Sequence, residues 1–220
     1  MQQTYFGHDC GNCAATGGPD HPLQRCARCK SIWYCNATCQ QAHWKQHKAS
    51  CTAYMKKLNA MSEENQKLNA DLQAWVLKHD RALNFGANET LLPTRDYLQT
   101  EGHRLNTHYF HVTVEETRPG SGEFRLLSGR AAPIGDLKTM VDHAMPGGFA
   151  SQTEKFLTSP TAAEAGKGKG LAGAMWLMVS CGKVATTIQF AIGLEVIEQR
   201  REQDGIPDWE EKLKEMTAPG

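Results

Sequence analysis

Seven of the chain's eight cysteines stand within residues 10–51, arranged as Cys10-x2-Cys13, Cys26-x2-Cys29, Cys35-x3-Cys39 and His47-x3-Cys51. Thiolates and imidazoles are ligands that zinc prefers, and a structural zinc site takes four of them in a tetrahedron that leaves no position for water. Eight such ligands therefore suffice for two zinc ions. Disulfide chemistry fits poorly, because seven clustered cysteines cannot all pair with one another, no signal-peptide pattern precedes them, and a histidine fits the remaining place.

The spacings also predict the elements that would aim these ligands. Two residues between paired cysteines suit a short turn, whereas three suit a helix, where positions four apart share a face. The pattern reads as turn, turn, then helix. Spacing alone leaves two matters open: which ligands share a metal, and which histidine binds. Cys39, His43, His47 and Cys51 are each four apart, so a helix stacks all of them on one stripe and either histidine could reach an ion.

The string Tyr34-Cys35-x3-Cys39-Gln40-x3-Trp44-x2-His47-Lys48-x2-Cys51, with the two CxxC pairs before it, resembles a MYND-type zinc finger. The resemblance implies two interleaved sites, one of Cys10, Cys13, Cys35 and Cys39 and the other of Cys26, Cys29, His47 and Cys51. The related HIT-type finger would instead use a histidine at position 43 and a cysteine at 47, but position 47 is histidine. The loop Ala14 to Arg25 is longer than the resemblance leads one to expect. With few apolar residues of its own, chiefly Leu23, Ile32, Trp33, Tyr34 and Trp44, the segment cannot build a core without metal.

In MYND fingers a groove lined partly by a Gln and a Trp receives short proline-containing peptides. The resemblance carries that role to Gln40 and Trp44. An aromatic plane beside a hydrogen-bonding amide suits an extended segment whose proline is already rigid. Trp44 has an alternative role as a plug between the two metal sites.

Charge argues against nucleic acid as the partner. Residues 1–51 hold five Lys or Arg against Asp9 and Asp20, and seven thiolates with two zinc ions bring the loaded finger close to neutral. Residues 52–220 hold 19 basic and 22 acidic side chains, so no basic counterpart follows. Phosphate binding draws on several cationic contacts that this balance does not supply.

Beyond Cys51, apolar residues from Tyr54 through Leu58, Met61, Leu68, Leu72 and Trp75 to His79 predict one helix from about 53 to 84, with Asn65 on its core stripe. That stripe is expected to pack on the chain's own second domain rather than form a coiled coil. Alternation over Tyr109–Val114, a turn at Arg118–Gly122 and Phe124–Leu127 predict a hairpin. A helix follows over Leu137–Ala144, broken by Pro146-Gly147-Gly148. A second strand pair spans Leu171–Val179 and Thr186–Ile192 around Gly182-Lys183, and a last helix starts near Asp208. The stretch 171–193 carries too many polar residues and glycines for a membrane span and reads as buried sheet. The fold class is α+β: a finger over 8–51, a helical connector over 52–90, and a domain of unassigned role over 91–220.

No catalytic set emerges. Gly168-x-Gly170-x-x-Gly173 satisfies a dinucleotide-binding expression, but neither a strand before it nor a helix after it is predicted. His103, His108 and His111 read as surface or packed residues, since 108 and 111 face opposite sides of a strand. Cys181 has no second thiol near it in sequence and reads as buried and inert. Some MYND fingers lie within SET-domain lysine methyltransferases. That resemblance implies an Asn-His motif and further cysteines, and the sequence has no Asn-His pair. The sequence thus reads as a two-zinc, non-enzymatic interaction module of a reducing intracellular compartment, nucleus or cytoplasm, with a protein partner. A SET-type methyltransferase or a nucleic-acid-binding zinc protein is the alternative.

Overall fold

The computed structural model describes residues 10–13, 15, 17, 21–92, 104–144, 170–202 and 206–218. Strands β1 (Gln24–Arg25) and β2 (Trp33–Tyr34) form a short antiparallel ribbon with Gln24 opposite Tyr34. Helix α1 (Ala37–Asn59) then begins where Asn36, in extended conformation, accepts a hydrogen bond from the Cys39 backbone N–H at 3.1 Å. An amide side chain at that position satisfies one of the N–H groups that a helix start leaves without an internal partner.

The single helix expected over 53–84 is three helices. α1 stops at Asn59, α2 runs Glu63–Lys78 and α3 runs Asp80–Leu91. The first break is a capping event. The Ser62 hydroxyl accepts from the Asn65 N–H at 3.3 Å, and Glu63 and Glu64 place negative charge at the positive end of α2. Asn65 therefore lies in the first turn of α2 rather than on the core stripe of one long helix. The buried amide is Asn69, which donates to the Tyr54 hydroxyl at 3.2 Å, as Gln73 does at 2.9 Å. These two bonds tie α1, which carries Cys39, His47 and Cys51, to α2, which carries the core residues Leu72, Trp75 and Val76.

The second domain is built on a four-stranded sheet in the order β4-β3-β5-β6, comprising β3 (His108–Glu116), β4 (Phe124–Pro133), β5 (Leu171–Cys181) and β6 (Val184–Gly193). Both predicted hairpins form, and the stretch 171–193 is sheet. The inner strands β3 and β5 pair in parallel, Phe110 opposite Leu177 and Thr113 opposite Ser180. Each hairpin runs directly into a helix: α4 (Ile134–Ala144) after β4, and α5 (Leu194–Glu202) after β6. Parallel inner strands relate the two ββα units by a rotation about the strand direction, which sends their helices to opposite faces. Leu137 of α4 accordingly packs with Tyr109, Ala132, Trp176 and Met178, whereas Ile197 of α5 joins the core around Phe110, Val112, Met175 and Phe190. α6 (Trp209–Met216) closes that second face, with Leu213 fully buried.

Gly173 lies in β5 and is followed by strand rather than helix, which removes the dinucleotide reading; Gly168 and His103 lie outside the described residues. His108 contacts the Thr107 hydroxyl at 2.9 Å, and His111 pairs with the Ser180 hydroxyl at 2.9 Å. Burial raises the pKa of the buried Cys181 thiol, keeping it protonated. Among the described residues, no helix is long and apolar enough to cross a membrane.

Phe110 is the wedge of this core. Its ring, fully buried, meets Trp209 edge-on at 6.0 Å and lies over Gly129 and Gly86. A methyl group on Gly129 would stand 2.8 Å from Phe110 Cζ, whereas one on Gly135 would meet nothing within 4 Å. Gly129→Ala is expected to destabilise the fold by about 1–3 kcal/mol through overpacking. A denaturant titration should show a lowered midpoint for Gly129→Ala and none for Gly135→Ala; equal midpoints would refute the close fit.

Candidate metal centre

The structure gathers the eight ligands into two groups. In each, one ligand atom from every residue lies within 4.8 Å of the others: Cys10, Cys13, Cys35 and Cys39 in the first, Cys26, Cys29, His47 and Cys51 in the second. The first group takes the N-terminal CxxC, Cys35 just after β2 and Cys39 in the first turn of α1, and the second takes the following CxxC and the middle of α1. The two halves of the segment are interleaved as a result, and neither site closes without α1.

Local backbone geometry explains why. Cys26 N–H bonds to Ile32 O at 2.7 Å and Lys30 N–H to Cys26 O at 3.0 Å, folding the second CxxC into a tight knuckle that puts Lys30 at φ 58°. Gly11 N–H bonds to Trp33 O at 2.8 Å, drawing the first knuckle against β2. A side chain at position 11 would meet Ile32 Cγ2 at 2.7 Å, so the approach calls for glycine.

The distances match the geometry of zinc. Tetrahedral bonds of about 2.3 Å to sulfur and about 2.0 Å to nitrogen put sulfurs about 3.8 Å apart, and sulfur and nitrogen about 3.5 Å apart. Here Cys13 and Cys35 sulfurs are 3.5 Å apart, Cys13 and Cys39 sulfurs 3.9 Å, and Cys29 Sγ lies 3.4 Å from His47 Nε2. The two Cys/His clusters fit two zinc ions. They differ in exposure: all four ligands of the second are buried, whereas in the first only Cys10 is buried and Cys13 is exposed.

His43 stands outside both groups. Its Nδ1 is 3.0 Å from the Tyr34 hydroxyl. Burial first, and then the neighbouring cysteine charges, raise the Tyr34 pKa, so that phenol stays protonated in its contact with His43. Gln40 and Trp44 lie next to the second group and are half-buried. Gln40 Oε1 accepts from Ala27 N–H at 3.4 Å and its Nε2 points at Cys26 Sγ at 3.6 Å. Trp44 meets the His47 ring edge-on at 6.1 Å and packs on the finger's small core. Three polar contacts lay beyond the ligand pattern in the sequence: Ser31 on Cys29 at 3.0 Å, Ser50 on His47, and the Tyr34–His43 pair. Only the i, i+3 spacing of His47 and Ser50 signalled any of them.

The thiols titrate unequally. Desolvation would raise Cys10, but backbone N–H groups of Cys13, Asn12 and Cys35 bring it down to about 6. Desolvation and the hydrogen bonds and charges of neighbouring cysteines push Cys35 and Cys51 up to about 12. Desolvation, helped by His43, lowers the His47 pKa, leaving a neutral imidazole able to ligate. At neutral pH the apo protein thus holds Cys35 and Cys51 as thiols, and a zinc ion must displace their protons. Zinc binding should release at least these two protons and strengthen as pH rises. Calorimetry in buffers of different ionisation enthalpy counts the protons; none released would contradict the ligand chemistry.

Residues 10–51 match the family described as MYND finger. The chain is similar to the histone-lysine N-methyltransferase Smyd1 of Mus musculus, 36% identical over 96 residues, which cover 44% of this chain and 17% of that protein. It is similar to the histone-lysine N-methyltransferase ASHR1 of Arabidopsis thaliana, 33% identical over 58 residues, covering 26% and 10% of the two chains. It is also similar to ubiquitin C-terminal hydrolase 15 of Oryza sativa subsp. japonica, 47% identical over 45 residues, covering 20% and 4%. The chain thus covers less than a fifth of the length of each of these relatives. No solved structure matches the chain significantly.

Proposed function

We propose that this chain, whose residues 10–51 are a MYND finger, a zinc-binding protein-interaction module, acts as a non-enzymatic adaptor that recruits a partner through a short proline-containing segment. In this reading Cys10, Cys13, Cys35 and Cys39 hold one zinc ion, and Cys26, Cys29, His47 and Cys51 hold the other.

The observation that carries it is the half-buried indole of Trp44 beside the Gln40 amide, on a scaffold that metal binding would hold rigid. Gln40 uses one lone pair on Ala27 and aims one N–H at Cys26, which leaves further hydrogen-bonding capacity on the amide for an extended backbone. A rigid aromatic next to such a group binds proline segments at low entropic cost. The comparisons support a module over an enzyme, because the relatives carry names of two unrelated chemistries, lysine methyl transfer and ubiquitin hydrolysis. Near-neutral charge in the loaded finger speaks against a nucleic-acid partner. Zinc thiolates persist in reducing compartments, so we place the chain in the nucleus or cytoplasm.

A methyltransferase is the second reading, favoured by a similarity to Smyd1 that is longer than the finger itself. A methyl-transfer assay with labelled cofactor separates the two, and turnover would overturn the adaptor reading.

The zinc-loaded chain, probed against an array of short proline-containing peptides, should bind a subset. Trp44→Ala should weaken that binding by roughly 30-fold or more, the effect of removing about 2 kcal/mol of aromatic anchor. Gln40→Ala should weaken it less. Equal binding by both variants, with zinc content retained, would place the interaction elsewhere on the chain.

A further inference from the structure

The ring of His47 is fixed on every side. His43 stacks on it at 5.9 Å with 10° between the planes, and Trp44 and Tyr34 meet it edge-on at 6.1 and 6.3 Å. Ser50 completes the enclosure, its Oγ 3.3 Å from Nδ1.

A serine hydroxyl has one proton to give. Here it is committed, because Ser50 Oγ donates to the His47 backbone carbonyl, one turn back on α1, at 2.9 Å. Toward Nδ1 the oxygen therefore presents a lone pair, and the hydrogen of that contact belongs to the imidazole. A neutral imidazole has one N–H, so Nε2 has the lone pair. Nε2 is the atom that lies 3.4 Å from Cys29 Sγ, inside the second ligand group.

We propose that Ser50 is a positioning residue for the second zinc site: its hydroxyl, anchored on the His47 carbonyl, holds His47 in the tautomer and orientation that present Nε2 to the metal, and so slows release of that ion. The role is specific to the hydroxyl. Ser50 is half-buried on a helix whose backbone alanine would suit better, so replacing it does not weaken α1 by propensity. Loss of such an outer contact to a ligating histidine typically costs 10- to 100-fold in metal affinity. The inference rests on His47 ligating zinc, as proposed above, and His47→Ala is its separate check.

The test uses the full zinc-loaded chain and a chromogenic chelator that reports zinc as it leaves. Wild type should release its two ions in two phases. Ser50→Ala should speed one phase by about 10- to 100-fold and leave the other unchanged. Ser50→Thr should restore the wild-type rate, since a threonine hydroxyl also bonds the carbonyl of the preceding turn. In long-range ¹H–¹⁵N spectra of the loaded protein the His47 Nδ1 proton should exchange slowly with water in wild type and in Ser50→Thr, and faster in Ser50→Ala. His47→Ala should bind a single zinc ion; retention of two would remove His47 as a ligand and the proposal with it. Unchanged release and unchanged Nδ1 exchange in Ser50→Ala would overturn the proposal, as would a threonine variant that behaves like the alanine one.

Discussion

Mutual repulsion of clustered thiolates, relieved by a divalent cation, is the constraint on which the finger depends. Seven cysteines and a histidine converge in two groups with ligand atoms inside 4.8 Å. Desolvation first, and then the hydrogen bonds and charges of neighbouring cysteines, push Cys35 and Cys51 up to about 12, while backbone N–H groups bring Cys10 down to about 6, so without a cation the groups do not all ionise at neutral pH. Zinc supplies the positive charge that makes full deprotonation favourable, and it does so only if both knuckles and α1 are in place.

From α1 the constraint reaches the rest of the chain. The helix that presents His47 and Cys51 also presents Tyr54, whose hydroxyl is held by Asn69 and Gln73 of α2. α2 in turn buries Leu72, Trp75 and Val76 in the sheet domain's core. The sheet domain has its own source of stability, an apolar face centred on Phe110 and closed by α2, α3, α5 and α6. The finger leans on a domain that folds by burial, and itself folds by coordination.

The ligands were legible because their chemistry is restrictive: few residue types bind zinc, and their spacing dictates turn or helix. The grouping of ligands came from a family resemblance rather than from spacing, since Cys39, His43, His47 and Cys51 share one stripe. In the structure, His43 faces the Tyr34 hydroxyl instead. Both hairpins were visible as alternation. The breaks in the expected 53–84 helix were not, because the apolar stripe continues through Met61 and masks the cap at Ser62. The parallel pairing of β3 with β5 joins residues far apart in sequence and leaves no local mark. Helix α5 was missed because charged residues surround its two apolar contacts, Val196 and Ile197.

The central claim is that this chain binds two zinc ions through two interleaved, non-equivalent sites. Native mass spectrometry of the full chain, purified under reducing conditions, tests it most directly. Wild type should carry two zinc ions, with one lost in Cys13→Ser and one in Cys26→Ser. A metal-free species whose mass is lowered by loss of thiol hydrogens, or a wild type saturated by one zinc ion, would contradict it.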